Sequence, residues 1–164
     1  MFIEYLETPL GLLRLTASET ALCRVDLSEK PGERTPNTIT REAALQLSEY
    51  FSKKRESFSV PLAPQGTPFQ KCVWAALKKI PYGKVVTYGQ LAAAVGNAEA
   101  VRAAASAVGK NPFPILLPCH RVVAAKGLGG FAWGLNAKRT LLQLEDIEIP
   151  KKTAFSENFL FTFP

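Results

Sequence analysis

The stretch TYGQLAAAVGNAEAVRAAASAVGK, residues 87–110, decides how the second half of this chain folds. Thr87 followed three residues later by Gln90 has the spacing of a capping box, which predicts a helix beginning at Thr87 and ending near Gly96. Asn97 is placed to cap a second helix over residues 98–109. Two short helices joined by a tight Gly-Asn turn form a helix-turn-helix. In the second helix Val101, Ala104 and Val108 share a face and should pack inward, while Arg102, Ser106 and Lys110 recur at i, i+4 and i+8 and should face outward. A stripe of small and basic residues lets a helix lie close to a phosphate backbone. On its own the same stripe fits a plain solvent-facing edge equally well.

Working outward, Thr67-Pro68 reads as an N-cap followed by Pro at the first helical position, opening a helix that runs to Ile80. Pro81-Tyr82-Gly83-Lys84 is a turn, and residues 61–66, with two prolines and a glycine, read as an interdomain link. The first sixty residues read as α/β. Short strands are expected at 2–6, 12–17 and 22–27, in an antiparallel meander, with a polar loop to 37. A helix over 38–53 would bury Ala43, Ala44, Leu47 and Phe51, and residues 58–60 offer one more strand. Downstream, two prolines make Asn111-Pro112-Phe113-Pro114 stiff and non-helical, and Ile115-Leu116-Leu117 should be buried. A strand at 122–125, a glycine-rich reversal at 126–130 that could serve as a wing, and a last helix over 137–145 capped by Asn136 complete the reading. Three segments result: an α/β sheet domain at 1–63, a mainly α domain with a winged helix-turn-helix at 64–150, and a tail at 151–164. The last nineteen residues hold four phenylalanines at no clear period, and no role is assigned to them.

The net charge of +6 is segregated. Residues 1–63 carry 8 Lys/Arg and 9 Asp/Glu, whereas residues 64–144 carry 10 Lys/Arg and the single acid Glu99. A basic half of this kind attracts polyanions, nucleic acid being the commonest, although a solvated basic surface fits charge alone as well. No apolar run reaches the roughly 18–20 residues of a membrane helix. The first residues lack the layout of a signal peptide, so a cytoplasmic protein is expected, or a nuclear one in a nucleated cell. Three widely spaced cysteines, Cys23, Cys72 and Cys119, make a poor disulfide framework and suit a reducing compartment. With one histidine, His120, and no paired ligand spacing, a metal site is not expected, and no cofactor is implied.

Pro118-Cys119-His120-Arg121-Val122 carries the chemistry. A cysteine nucleophile reacts as thiolate and needs a base or positive neighbours. His120 and Arg121 follow Cys119 directly. Neighbours on an extended strand point to opposite faces, so a direct Cys119–His120 contact requires a sharp turn, and a bridging water is the other route for the proton. Glu145 on the last helix is available to orient the imidazole. A buried thiol beside a structural histidine accounts for the same two residues.

Together with Asn-Pro-x-Pro-Ile-Leu before it, the Pro-Cys-His-Arg-Val motif closely resembles the O6-alkylguanine-DNA alkyltransferase family. The likeness runs from Thr67 to Glu145, with Tyr88 and Arg102 at the family's spacing from Cys119, and only in outline over the first sixty residues. The resemblance implies a ribonuclease-H-like N-terminal domain. It also implies irreversible transfer of an alkyl group from O6-alkylguanine in duplex DNA, or from O4-alkylthymine, to Cys119, by a protein spent after one turnover. His120 would take the thiol proton through water, Glu145 would orient it and Asn111 would hold the active-site turn. Tyr88 would donate to the purine and crowd the phosphate so that the nucleotide rotates out. Arg102 would fill the gap in the duplex. Ala105, Ser106 and Gly109 would be small because their helix lies close to the DNA, and Lys84, Lys110 and Arg121 would add DNA contacts. Pro114, Val122, Ala132, Trp133 and Gly134 would shape the substrate pocket, with Trp133 narrowing it. Some relatives hold zinc in the N-terminal domain, but the histidines for it are missing here. One lesion needs one thiol, so a monomer is expected. Without the resemblance, a winged-helix regulator, a Cys-His hydrolase and a non-catalytic lesion sensor each explain part of the pattern.

Overall fold

The computed structural model describes residues 1–164, which divide into two compact units, Met1–Gln65 and Gly66–Pro164. In the first, β1 (Phe2–Thr8), β2 (Gly11–Ala17) and β3 (Leu22–Ser28) form an antiparallel sheet in sequence order. Alternating burial along β2 sends Leu13, Leu15 and Ala17 to the face covered by α1 (Thr38–Phe51). That helix buries Ala43, Leu47 and Tyr50. Asn37 caps it in a reciprocal box with Thr40.

The strand expected at 58–60 does not form. Gln46 of α1 satisfies Ser59 instead, accepting from its backbone N–H at 2.9 Å and donating to its Oγ at 2.8 Å. Phe58 packs on the Tyr50 ring. Pairing with β3 comes later, where Leu22 exchanges backbone bonds with Pro61 and Ala63.

The second unit is mainly helical. Its elements are α2 (Pro68–Leu77), β4 (Val86–Thr87), α3 (Tyr88–Ala94), α4 (Val101–Gly109), β5 (Val122–Val123) and α5 (Leu135–Leu144). Thr67 and Thr87 each close a capping box, with Gln70 and Gln90 respectively. α2 stops at Leu77, short of the expected Ile80, because Pro81 biases Ile80 away from helix and the Ile80 carbonyl is used elsewhere.

Three expected features differ. Asn97 does not cap α4. It closes a local turn by accepting from the Glu99 N–H at 3.2 Å, and the helix starts at Val101 without a side-chain cap. Val101 is therefore exposed, and Ala104, Ala107 and Val108 form the inward face. α5 is preceded by Gly134 at φ 93°, a conformation that favours glycine, so Asn136 lies inside its first turn. The segment after β5 is a loop, not a β-hairpin, and β5 pairs in parallel with β4.

The tail is ordered into the second unit. Phe155 joins Val85, Val123, Leu142 and Ile147 in a buried cluster, with Phe159 and Leu160 packed against it.

Candidate active site

Every residue from Asn111 to Val123 is buried. Asn111 Nδ2 donates to the Leu117 carbonyl at 2.7 Å and its Oδ1 accepts from the Phe113 N–H at 2.9 Å. Leu117 N–H returns to the Phe113 carbonyl at 2.9 Å, closing a tight turn in which Ile115 has φ 77°. A β-branched residue in the left-handed region stores about 1–3 kcal/mol of strain, held here by burial on every side. The turn delivers Cys119 into one 3₁₀ turn, Cys119–Arg121. The chain thus bends sharply at the motif and does not run on as a strand.

His120 is fully buried, and its Nε2 lies 2.6 Å from Glu145 Oε2. Arg121 grips the same carboxylate with two nitrogens, Nε to Oε1 at 2.8 Å and Nη2 to Oε2 at 3.0 Å. Its Nη1 donates to the Ile80 carbonyl at 2.7 Å. The Gly83 N–H adds a further donor to Glu145 Oε1 at 3.0 Å. Burial works against the charge on Glu145, but His120 and Arg121 outweigh it and hold the carboxyl well below the usual range. Burial also pushes the imidazole below its ordinary value, and Arg121 already neutralises the carboxylate. His120 is therefore neutral near pH 7. A carboxylate only accepts, so the ring proton sits on Nε2. The other nitrogen, Nδ1, makes no hydrogen bond to the protein and keeps its lone pair.

The Cys119 thiol is raised by burial to about 11, against the opposing pull of the Asn111 side chain and the nearby Lys138 ammonium. Little thiolate exists at neutral pH, so reaction requires a base, and the Nδ1 lone pair of His120 has the chemistry for it.

Lys138 was not singled out from the sequence. It is fully buried on α5, and its ammonium donates to the carbonyls of Val122, Leu128 and Gly130 at 2.6, 2.5 and 2.9 Å. All three donors are spent on fastening β5 to the following loop. Burial lowers Lys138 to about 8. Only the helical spacing from Leu141 and Leu142 could have hinted that this lysine faces inward.

Cys119 lies at the wall of a cavity of about 470 Å³, lined also by Tyr88, Ala105, Val108, Gly109, Gly130, Phe131 and Ala132. This size suits a small planar ligand. Tyr88 is half-buried and donates to the Gly130 carbonyl at 3.3 Å. Burial, and then Cys119, raise it, so it stays a proton donor. Gly129, at φ 73°, is required beside it: a Cβ there would come within 2.8 Å of the Tyr88 ring.

Several expected positions fall elsewhere. Arg121 cannot touch DNA, since its guanidinium is buried on Glu145. Lys84 Nζ is tied to the Asn158 carbonyl at 2.7 Å. Val122 and Pro114 are buried in the strand and the turn, away from the cavity lining. Gly134 is the N-cap of α5. Trp133 is not among the residues that line the cavity, and its ring meets Phe131 edge-on at 6.2 Å between centroids. On α4, Arg102, Ser106, Gly109 and Lys110 are exposed and Ala105 is partly so, which leaves one helix face presenting a cation and small residues beside the cavity mouth.

Two family models match this chain. Residues 1–64 match the ribonuclease-like domain of 6-O-methylguanine DNA methyltransferase, and residues 68–147 match its DNA binding domain. The methylated-DNA–protein-cysteine methyltransferase of Methanosarcina barkeri is 44% identical over 154 residues, covering 89% of this chain and 98% of that protein. The constitutive enzyme of the same name from Bacillus subtilis is 41% identical over 160 residues, covering 89% and 96%. Mycobacterium tuberculosis OGT, solved in complex with DNA, superposes with a TM-score of 0.81 at 37% identity, covering 89% of this chain and 93% of that one. With both of its units matched and relatives of this identity covered almost end to end, the chain belongs to the 6-O-methylguanine DNA methyltransferase family.

Proposed function

We propose that this protein repairs alkylated DNA by direct reversal, transferring the alkyl group from O6 of a flipped-out guanine to Cys119. The observation that carries this reading is the thiol at the wall of a purine-sized cavity, beside a neutral, Glu145-oriented histidine with a free ring lone pair. The Cys119 proton passes to His120 Nδ1 through water. The sulfur attacks the alkyl carbon, the carbon–oxygen bond breaks, and its electron pair goes to the guanine. The guanine takes a proton from the Tyr88 hydroxyl, which is reloaded from solvent. The thioether is stable and no second thiol lines the cavity, so each molecule acts once.

The O6 atom is inaccessible in stacked DNA, and extruding the base costs roughly a few kcal/mol. Arg102, exposed on α4, fills the vacated space, while Tyr88 contacts the purine and its phosphate. Ser106, Gly109 and Lys110 let α4 approach the backbone. The protein works as a monomer on duplex DNA. No helix is long and apolar enough to cross a membrane.

The test is a mass measurement after incubation with duplex DNA carrying O6-methylguanine. A stoichiometric gain of one methyl group on Cys119, absent in Cys119→Ala, is the expected result. Binding without a gain in mass would instead mark a regulator or a lesion sensor.

A further inference from the structure

The tail beyond the family match, which ends at Ile147, forms a single parallel β-bridge, Leu160 opposite Val85, at the entrance to β4. Val85 N–H donates to the Phe159 carbonyl at 2.7 Å, and Phe161 N–H donates to the Val85 carbonyl at 2.9 Å. Successive residues of a strand offer their polar groups to opposite edges. Val85 therefore serves the tail and Val86 the opposite edge, where β4 lies in register with β5, Val86 beside Val122 and Thr87 beside Val123. Lys84 Nζ adds its bond to the Asn158 carbonyl.

The two short strands β4 and β5 lead straight into the chemistry. Thr87 is the N-cap of α3, whose first residue is Tyr88, and β5 begins directly after the Cys119–Arg121 turn. Two paired strands of two residues each have little cohesion of their own. The tail supplies what they lack: two backbone hydrogen bonds to Val85, and Phe155, Phe159 and Leu160 in the apolar cluster that holds Val85, Val123, Leu142 and Leu128. Leu128 also belongs to the loop that Lys138 fastens.

We propose that residues 155–161 are a positioning strap that fixes Tyr88 relative to Cys119, so that the tail sets the rate of alkyl transfer without touching DNA or the lesion. The kinetic part rests on the alkyl-transfer reading of the site. Small misplacements of reacting groups are expensive in rate, up to about a hundredfold per ångström.

The test uses the full chain. Phe161→Pro removes the N–H bonded to Val85, whereas Phe161→Leu keeps it. With pre-bound duplex at saturation, Phe161→Pro should slow single-turnover methyl transfer about tenfold or more, with DNA affinity unchanged within about twofold, and Phe161→Leu should react at the wild-type rate. Amide hydrogen exchange should quicken at residues 86–90 and 119–123 in the proline variant. Leu160→Ala, which thins the packing and keeps every backbone bond, should give the same pattern more weakly and serves if the proline variant does not fold. A wild-type rate in Phe161→Pro, equal slowing by Pro and Leu, or exchange that rises evenly across residues 66–164 would each overturn the strap. Wild-type protein that gains no methyl group would sink the repair reading instead, and the exchange pattern would still decide the strap.

Discussion

At the scale of single residues, the site sets a base and a thiol of mismatched acidity next to each other. Cys119, at about 11, holds its proton, and His120, pushed down by burial, is free to take it. The acid limb of the pH profile should follow. A lowered imidazole stays neutral as pH drops through its ordinary 6.5, so single-turnover transfer should hold there and fall only below it. The alkaline limb belongs to Lys138. Losing its proton as pH rises through about 8, it keeps two donors for three carbonyls and no longer draws the thiol toward ionisation, so the rate should decline. A profile rising steadily from pH 6 to pH 9 would contradict both assignments. Glu145→Gln should slow transfer about a hundredfold. It should also destabilise the fold by about 3–5 kcal/mol, because Arg121 is left charged and buried without its partner. Thermal unfolding alongside the rate separates the two effects. Cys119 and His120 were legible in the sequence because a thiol beside the only histidine is chemically distinctive. Arg121 and Lys138 were not: a positive charge reads as surface until its carboxylate, 24 residues on for Arg121, or its ring of carbonyls is brought to it.

At the scale of elements, α3, α4 and the loop before α5 divide the cavity wall around Cys119 between them. The Thr67-Pro68 cap and the Thr87–Gln90 capping box made α2 and α3 readable to within a residue at their starts, since cap chemistry is local in sequence. The starts of α4 and α5 were misplaced because neither has a side-chain cap, one beginning from an Asx-type turn at Asn97 and the other from a positive-φ glycine. The outward face of α4 was nonetheless correct in Arg102, Ser106 and Lys110, which depends on helical period and not on the boundary. Arg102→Ala should reduce repair in duplex DNA about tenfold to a hundredfold, reflecting its share of the extrusion energy, and leave reaction with the free alkylated base unchanged. Equal losses on both substrates would remove the intercalating role. In the loop, Trp133 meets Phe131 edge-on, and Phe131 lines the cavity. Trp133→Gly should let Phe131 withdraw and raise the rate on benzyl relative to methyl adducts. An unchanged ratio would mean that the cavity width is set elsewhere.

At the scale of the whole molecule, charge is divided as sharply as the fold. Residues 66–164 hold 12 Lys/Arg against 5 Asp/Glu, a net of +7, while residues 1–65 hold 8 against 9. Not all of those cations can meet DNA. Arg121 is paired with Glu145, which the net already counts, and Lys138 is buried on three carbonyls, so the number of cations overstates the electrostatic footprint. The distinction is measurable through counterion release. Each phosphate contact contributes about 0.9 to the slope of log affinity against log salt. Lys110→Ala, at an exposed position on α4, should weaken binding to damaged and undamaged duplexes alike and reduce that slope by about one, with transfer at saturating DNA unchanged. Arg121→Ala should do the reverse: the slope stays, while stability and transfer fall, because the charge removed never faced the duplex. A fall in slope for Arg121→Ala would return that residue to the DNA surface and undo the electrostatic account of the buried Glu145 network.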